Sequence, residues 1–142
     1  MNYFTSTKSN PLIIDLVLLF VRIFVGFAML SHGFPKLQQL YAGGEIQFYD
    51  FLGLGTKVSL FLAVFAEFVC SIFIILGLFT RFAVFFLVVT MAVAALLVHG
   101  EDPFSKRETS LLYLSVYLLI FAFGPGKYSI DGMISKRRES EW

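Results

Sequence analysis

The sequence predicts an all-α protein, a four-transmembrane-helix bundle, from its composition, its long apolar runs and its short connections. Of its 142 residues, 58% are hydrophobic and 15% are charged. A soluble domain has roughly 45–50% apolar and about 25% charged residues. The chain is therefore an integral membrane protein, and the lipid bilayer is its first expected partner.

Four apolar runs are interpreted as membrane-spanning helices, because a span takes roughly 20 predominantly apolar residues. The expected spans cover about residues 12–31, 58–78, 82–99 and 108–124. The fourth reaches full length only when Glu108, Ser110 and Gly124 are included. Because these spans account for most of the chain, residues 1–142 are expected to form a single transmembrane domain without a soluble catalytic domain.

The connection over residues 35–57 is the one long loop of this scheme. It mixes aromatic, polar and glycine residues without a continuous apolar run. We expect an interfacial or partly re-entrant segment, hinged at Gly43 and Gly44, that caps the outer mouth of the bundle.

An even number of spans places both chain termini on one side of the membrane. That side collects six lysines and arginines and the opposite side four. Because positively charged loops favour the cytoplasm, the bias predicts a multi-pass protein whose N- and C-termini are cytoplasmic.

Two charges, Arg22 and Glu67, lie midway along the first and second apolar runs. A charge at the membrane centre costs at least about 2.5 kcal/mol and usually points inward toward a partner. Depth counting sets the two residues level, so each is expected to be the partner of the other. The pair would either fix the register of two helices or bind a polar ligand head and relay protons, and these roles are compatible.

Helical periodicity predicts that polar groups gather in the outer half of the bundle. Small residues on the inward faces of the first two helices allow close packing there. We expect an outward-opening polar pocket lined by Arg22, His32, Glu67 and His99, with Tyr113 or Tyr117.

The two histidines allow several interpretations. Imidazoles from two helices can ligate a haem or a metal, but two histidines without a nearby cysteine or second carboxylate make a thin ligand set. We therefore expect no metal site and disfavour haem. Satisfaction of His99 by Glu101 or Asp102 is a simpler alternative, and proton handling beside a quinone is another.

Other function classes have little support in the sequence. The single cysteine, Cys70, excludes an internal disulfide and a redox dithiol. A net charge of +1 argues against a nucleic-acid partner. The chain has no Walker, GxGxxG, HExxH or CxxC motif, so no catalytic residue is assigned and enzyme activity is left open.

The chain resembles the DoxX family of small bacterial four-helix membrane proteins across most of its length. The matching segments are Arg22-Ile-Phe-Val-Gly26, His32-Gly33, Lys36, Ala66-Glu67, Gly77-Leu-Phe-Thr80-Arg81, Ala94 to His99, and Gly124-Pro125-Gly126-Lys-Tyr128-Ser129-Ile-Asp131. The resemblance implies a bacterial inner-membrane location and an association with quinone-linked redox systems. It also implies functional polar positions at Arg22, His32, Lys36, Glu67, His99 and Asp131.

Together these observations favour a subunit or accessory protein of a membrane redox system, whose pocket suits a quinone head group. Arg22 and Glu67 would form the pocket floor, with His32 and His99 as hydrogen-bond donors or proton carriers. A redox partner subunit is expected, because nothing on this chain supplies that function. The alternatives are a non-catalytic membrane scaffold and a small transporter, the latter requiring a homo-oligomer.

Overall fold

The computed structural model of the protein describes residues 6–141 and is helical throughout, without strands in that range. The helices are α1 (Pro11–Ala42), α2 (Thr56–Leu76), α3 (Thr80–Val98), α4 (Phe104–Phe123) and α5 (Ile130–Glu139). The expected domain covered residues 1–142, of which residues 1–5 and 142 lie outside the described part.

Three of these helices, α1, α2 and α3, are long and apolar enough to cross a membrane. The all-α class is thus confirmed, and the described residues include three long apolar helices. Helix α4 has 20 residues, but its first turns carry Lys106, Arg107 and Glu108, so it does not share that apolar character over its full length. It packs on α3 and also contacts α1.

Helix α1 is longer than the sequence predicted. It continues past residue 31, through Pro35, to Ala42, into the stretch expected to be loop. Its last turns carry Leu37, Leu40 and Tyr41 at helical spacing, and these side chains line a groove with α2. This amphipathic extension gives the helix a packing partner beyond the proline. The loop therefore begins at Gly43, one of the two predicted hinge glycines.

Two glycines set the antiparallel packing of α1 on α2. A Cβ at Gly33 would lie 2.8–3.0 Å from backbone atoms of Glu67 and Phe68. A Cβ at Gly26 would lie 2.4 Å from the Ile75 side chain. The absence of side chains at both positions lets the backbones approach closely, as is common between helices in lipid.

The core lies between α1, α2, α3 and α4 and is apolar. Its fully buried side chains include Met29, Cys70, Ile74, Val84, Leu87, Tyr117 and Ile120. Many phenylalanines lie instead on the outer surface, where the bilayer would cover them. Two ends of the bundle are distinguished below. The termini end holds the start of α1 and the α2–α3 turn, and the loop end holds the α1–α2 and α3–α4 connections.

Candidate functional site

A buried ion pair joins α1 to α2 in the loop-end half of the bundle. Lys36 Nζ lies 2.6 Å from both carboxylate oxygens of Glu67. The Glu67 side chain is 5% exposed and that of Lys36 is 29% exposed. The lysine thus neutralises the buried acid while part of its own side chain stays exposed.

Glu67 lies in a π-helical turn, Phe65–Cys70, inside α2. Such turns insert one extra residue per turn into an α-helix and are frequent at functional sites. The Glu67 carbonyl accepts a hydrogen bond from Ser71 Oγ at 2.7 Å, and Gly33 packs against the Glu67 backbone from α1. The turn is therefore held from two directions, which fixes where the carboxylate points.

The α1–α2 loop covers the ion pair from the loop end. The Phe48 ring centroid lies 5.7 Å from Lys36 Nζ, a cation–π contact. The loop is tied to the start of α2 by the Phe51 amide, which donates to Ser59 Oγ, and it closes on itself through the Gly55 amide and Asp50. The expected cap over the outer mouth is consistent with these contacts.

Aromatic residues from α1 and α4 form the wall beside the ion pair. His32 and Tyr113 meet edge to face at 5.8 Å, and Tyr113 stacks on Tyr117 at 6.1 Å. The Glu67 carboxylate is close enough to act electrostatically on both phenols. The structure thus gathers His32, Lys36, Glu67, Tyr113 and Tyr117 in one place, and we call these five residues the loop-end cluster.

One buried polar atom of this cluster has no hydrogen-bond partner among the described residues. The Tyr117 side chain is fully buried, and its hydroxyl makes no hydrogen bond to any of the described residues. A buried hydroxyl without a partner costs roughly 1–3 kcal/mol. It is therefore a place where a ligand or water with a polar atom would be stabilised.

Arg22 does not belong to this cluster, and the expected Arg22–Glu67 pair is wrong. Arg22 is 1% exposed, and its Nη2 donates to the Tyr128 carbonyl at the termini end. A Cβ at Gly77 would overlap its Nη1, so the guanidinium lies against the α2–α3 turn. Asp131 is the acid whose charge acts on it.

The register of α1 against α2 explains the difference. Gly33 lies opposite Glu67, so Arg22 is 11 residues nearer the termini end, about 16 Å along the axis at 1.5 Å per residue. The sequence argument centred the first span near residue 22, because it ended that helix near residue 31. Because α1 continues to Ala42, Lys36 lies on the helix about one turn beyond Gly33, and its side chain reaches the Glu67 carboxylate.

Arg22 instead holds the segment that follows α4. We call residues 124–132 the C-terminal anchor. Its Lys127 amide donates to Asp15 Oδ1 at 3.0 Å, and its Tyr128 carbonyl accepts from Arg22. Both contacts tie the segment to α1, so the buried guanidinium here has a structural role.

Asp131 of the C-terminal anchor caps α3. Its Oδ1 accepts from the Phe79 amide and its Oδ2 from the Thr80 amide, both at 2.9 Å. These amides begin a helix and have no intrahelical acceptor. The Asp131 amide in turn donates to the Gly77 carbonyl at 2.9 Å. The segments Gly77 to Arg81 and Gly124 to Asp131, both noted in the sequence, therefore form one joint.

His99 lies apart from the loop-end cluster. Its Nδ1 is 2.7 Å from Asp102 Oδ2 in the α3–α4 connection, and both side chains are about one-third exposed. Asp102 is one of the two carboxylates expected beside this histidine. The hydrogen bond from His99, and then the nearby Lys106 charge, hold the pKa of the Asp102 carboxyl below its usual value.

Two surface grooves are apolar and face the bilayer. One is formed by α1 and α2 and is lined by Leu37, Leu40, Tyr41, Phe61, Val64, Phe65 and Val69. The other runs along α1 and is lined by Phe20, Ile23, Phe24, Phe27, Ala28 and Ser31. The lining of the first groove includes Phe65 and Val69 from the π-helical turn that holds Glu67. It also includes Leu37, the residue after Lys36 in the chain. Within the described residues, no three or more His, Cys, Asp or Glu side chains are grouped as a metal site would require.

Sequence reasoning named every member of the loop-end cluster but did not pair Lys36 with Glu67. The signal available was the position of Lys36 at the edge of the polar face of α1, four residues after His32. The π-helical turn and the unpartnered Tyr117 hydroxyl depend on packing between helices and had no local sequence signal.

Comparison with known proteins identifies a family and two relatives of the chain. The profile of the family described as DoxX matches residues 17–100. A protein of Haemophilus influenzae described as uncharacterized is 33% identical over 130 residues, which cover 84% of this chain and 92% of the relative. A second uncharacterized protein of the same organism is 25% identical over 126 residues, covering 84% of this chain and 83% of the relative. No solved structure matches the chain.

Proposed function

The chain belongs to the DoxX family of membrane proteins, and from that premise we propose that it is a subunit or accessory protein of a quinone-linked membrane redox system. The quinone head group would bind at the loop-end cluster. The observation that carries this proposal is the fully buried Tyr117 hydroxyl, without a partner among the described residues, beside the Lys36–Glu67 pair.

The chemistry of the cluster suits a quinone head group. A quinone ring is flat and carries two carbonyl oxygens that accept hydrogen bonds. The Tyr117 hydroxyl and the Lys36 ammonium are donors, and the stacked rings of Tyr113 and Tyr117 offer an aromatic surface. Glu67 can hold a proton next to that ring, and intramembrane carboxylates commonly have such roles.

The groove between α1 and α2 gives the ligand a route from the bilayer. Its lining is apolar and includes Leu37 of α1 and Phe65 of α2, close in sequence to Lys36 and Glu67 respectively. An isoprenoid tail would lie in this groove while the head reaches the ion pair. Apolar pockets with a few convergent polar groups are the usual form of small-molecule sites.

The proposal includes the membrane arrangement. Helix α4 crosses as the fourth span, with its charged first turns at the loop-end interface. In this proposal the termini end lies in the cytoplasm of a bacterial inner membrane, an orientation that its basic residues favour. The loop-end cluster then opens outward, toward a redox partner subunit that this chain does not supply.

A membrane scaffold is the second candidate, and the ion pair favours it too. Both carboxylate oxygens of Glu67 are used by Lys36, so the pair holds α1 against α2. A buried pair replaced together by well-packed apolar residues is often tolerated. A folded K36M/E67M variant that keeps its cellular role would support the scaffold, whereas the quinone proposal requires that variant to lose ligand binding.

The test is thermal unfolding of the full-length protein in detergent with a short-chain benzoquinone analogue. A ligand at about 100 times its Kd stabilises the folded state by roughly 2.7 kcal/mol, so the Tm should rise and saturate. The Y117F variant should bind roughly two- to tenfold more weakly, since a hydrogen bond contributes roughly 0.5–1.5 kcal/mol.

Tyr128 provides the matched control, because its side chain is exposed at the termini end. The Y128F variant should bind like the unmodified protein. If the analogue gives no saturable rise in Tm, or if Y117F and Y128F bind equally well, the quinone proposal fails.

A further inference from the structure

Helix α5 projects from the bundle with little support of its own. Its first residues are held by the C-terminal anchor, with Ser129 Oγ accepting from the Gly132 amide at 2.9 Å. From Met133 to Glu139 every residue is exposed. Within the described structure, α5 is therefore held at its first residues and is exposed from Met133 to Glu139.

A free helix of this length needs a partner. Isolated helices shorter than about 12–15 residues are marginal in water, and α5 has ten residues. The Ser129 cap and the basic last turn stabilise it at its two ends only. Something that packs along the helix is required to keep it ordered.

The exposed face of α5 indicates what that partner is. At about 100° per residue, Ile130, Met133, Ile134 and Arg137 fall within roughly 100° of one another. Met133 is 63% exposed and Ile134 is 45% exposed. Lys136 and Arg138 flank this apolar stripe on its two sides, roughly 40–60° away. An apolar stripe bordered by basic residues is typical of helices that lie in a membrane interface.

The position of α5 in the fold agrees with that pattern. Its N-terminus is bonded to the α2–α3 turn through Asp131 and Gly77. That turn is where two membrane-spanning helices end, so α5 begins at the depth of the lipid head groups. The nearby Glu141 lies 3.6 Å from Arg137 in a highly exposed pair. Such a pair is weak, which leaves Arg137 available to a phosphate.

We propose that α5 lies along the surface of the bilayer at the termini end and binds the head groups of anionic phospholipids. Met133 and Ile134 enter the acyl boundary, and Lys136, Arg137 and Arg138 contact lipid phosphates. This inference is independent of the quinone proposal, because it concerns the opposite end of the molecule.

Tryptophan fluorescence in nanodiscs tests the proposal on the full-length chain. Trp142 is the only tryptophan, so W142F removes the background and allows a single probe. M133W places the probe on the apolar stripe, and S135W is the matched control on the opposite face. Brominated lipids in anionic phosphatidylglycerol nanodiscs should quench the M133W probe and shift its emission to the blue, and should affect the S135W probe much less.

Charge dependence completes the test. In neutral phosphatidylcholine nanodiscs the quenching of the M133W probe should fall, and K136Q/R137Q/R138Q should lower it in anionic nanodiscs. The binding equilibrium of α5 should weaken roughly fivefold for each basic side chain removed. Unchanged Tm values show that the bundle is intact.

Two results would overturn the proposal. One is equal, weak quenching of the probes at positions 133 and 135 in both lipid compositions. The other is a blue shift of the M133W emission that occurs only in preparations that keep native membrane proteins. That result would assign the face to a protein partner instead of lipid.

Discussion

Lys36 of α1 and Glu67 of α2 form a two-point ion pair, with Nζ 2.6 Å from each carboxylate oxygen. The acid is nearly fully buried and the lysine is partly exposed. This asymmetry means that the two charges depend on each other to different degrees. Without Lys36 the nearly buried Glu67 carboxylate has no counter-charge in the described structure, whereas the partly exposed Lys36 can reach water without Glu67.

The asymmetry predicts that removing the lysine is worse than removing the acid. K36M leaves a buried carboxylate unpaired and should lower the free energy of unfolding by about 2 kcal/mol or more. This is below the roughly 3–5 kcal/mol for a fully buried pair, because solvent screens the partly exposed Lys36. E67Q should cost less, since glutamine keeps the shape and lacks the charge.

The measurement is thermal or chemical unfolding of K36M, E67Q and the double variant K36M/E67Q in the same detergent. The double variant should recover part of the loss, giving a coupling of roughly 0.5–3 kcal/mol. Additive effects of the two changes would show that the pair does not interact.

Gly33 and Gly26 predict a second contrast on the same helix. A Cβ at Gly33 meets backbone atoms of Glu67 and Phe68, which cannot move without shifting the π-helical turn. The nearest atom to a Cβ at Gly26 belongs to the flexible Ile75 side chain. G33A should therefore lower the Tm clearly more than G26A, although alanine is the better helix former at both positions by about 1 kcal/mol.

The G33A variant should also separate Lys36 from Glu67. Adding K36M to G33A should then change the Tm little. Adding K36M to G26A should lower the Tm as much as K36M does in the unmodified protein. Equal Tm values for the two glycine variants would contradict the close approach of α1 and α2 at Gly33.

Arg22 predicts the behaviour of the C-terminal anchor. R22M removes the donor to the Tyr128 carbonyl, and hydrogen bonds to charged groups contribute roughly 1.5–3 kcal/mol. Trypsin cleavage after Lys127 should become about tenfold faster or more, because the segment opens more often. I23A alters a neighbouring residue on the outer face of α1 and should leave that rate unchanged. A similar rate in R22M and I23A would show that Arg22 does not hold the segment.

Asp102 predicts a pH effect at the loop end. Its folded-state pKa is lowered, chiefly by the hydrogen bond from His99. A lowered pKa means that the stabilisation is complete above the unfolded value, about 3.9, and is lost as the pH falls through the folded value. Carbon NMR of the Asp102 carboxyl should show H99Q raising its pKa more than K106Q does. An unchanged Asp102 pKa in H99Q would exclude the contact.

The sequence predicted the helical class, three spans and an inward-facing Glu67, because long apolar runs and small-residue stripes are local signals. It did not predict the partner of Glu67, since that depends on the end of α1. The mixture of aromatic, polar and glycine residues after residue 35 indicated a loop, but the chain stays helical to Ala42, and Leu37, Leu40 and Tyr41 line a groove with α2. Tertiary packing here overrides local propensity.

The contacts at the termini end were also beyond prediction from the sequence. Asp131 was singled out only through a family resemblance, and its role as the cap of α3 joins residues about 50 positions apart. No local periodicity links an acid after α4 to two amides before α3. Phe79, whose amide donates to Asp131, also has a positive φ of 47°, which its residue type does not predict.

Photo-crosslinking measures most directly whether the loop-end cluster binds a quinone. A photoreactive benzoquinone with a short isoprenoid tail is irradiated with the full-length protein in nanodiscs, and the labelled residues are mapped by mass spectrometry. We predict labelling near Glu67 and Tyr117 that an unreactive quinone competes away. The groove from Phe20 to Ser31 is also apolar but is lined by α1 alone and does not include the π-helical turn of Glu67, so it reports simple partitioning. Labelling of that groove alone, or labelling that competitor does not reduce, would contradict quinone binding at the cluster.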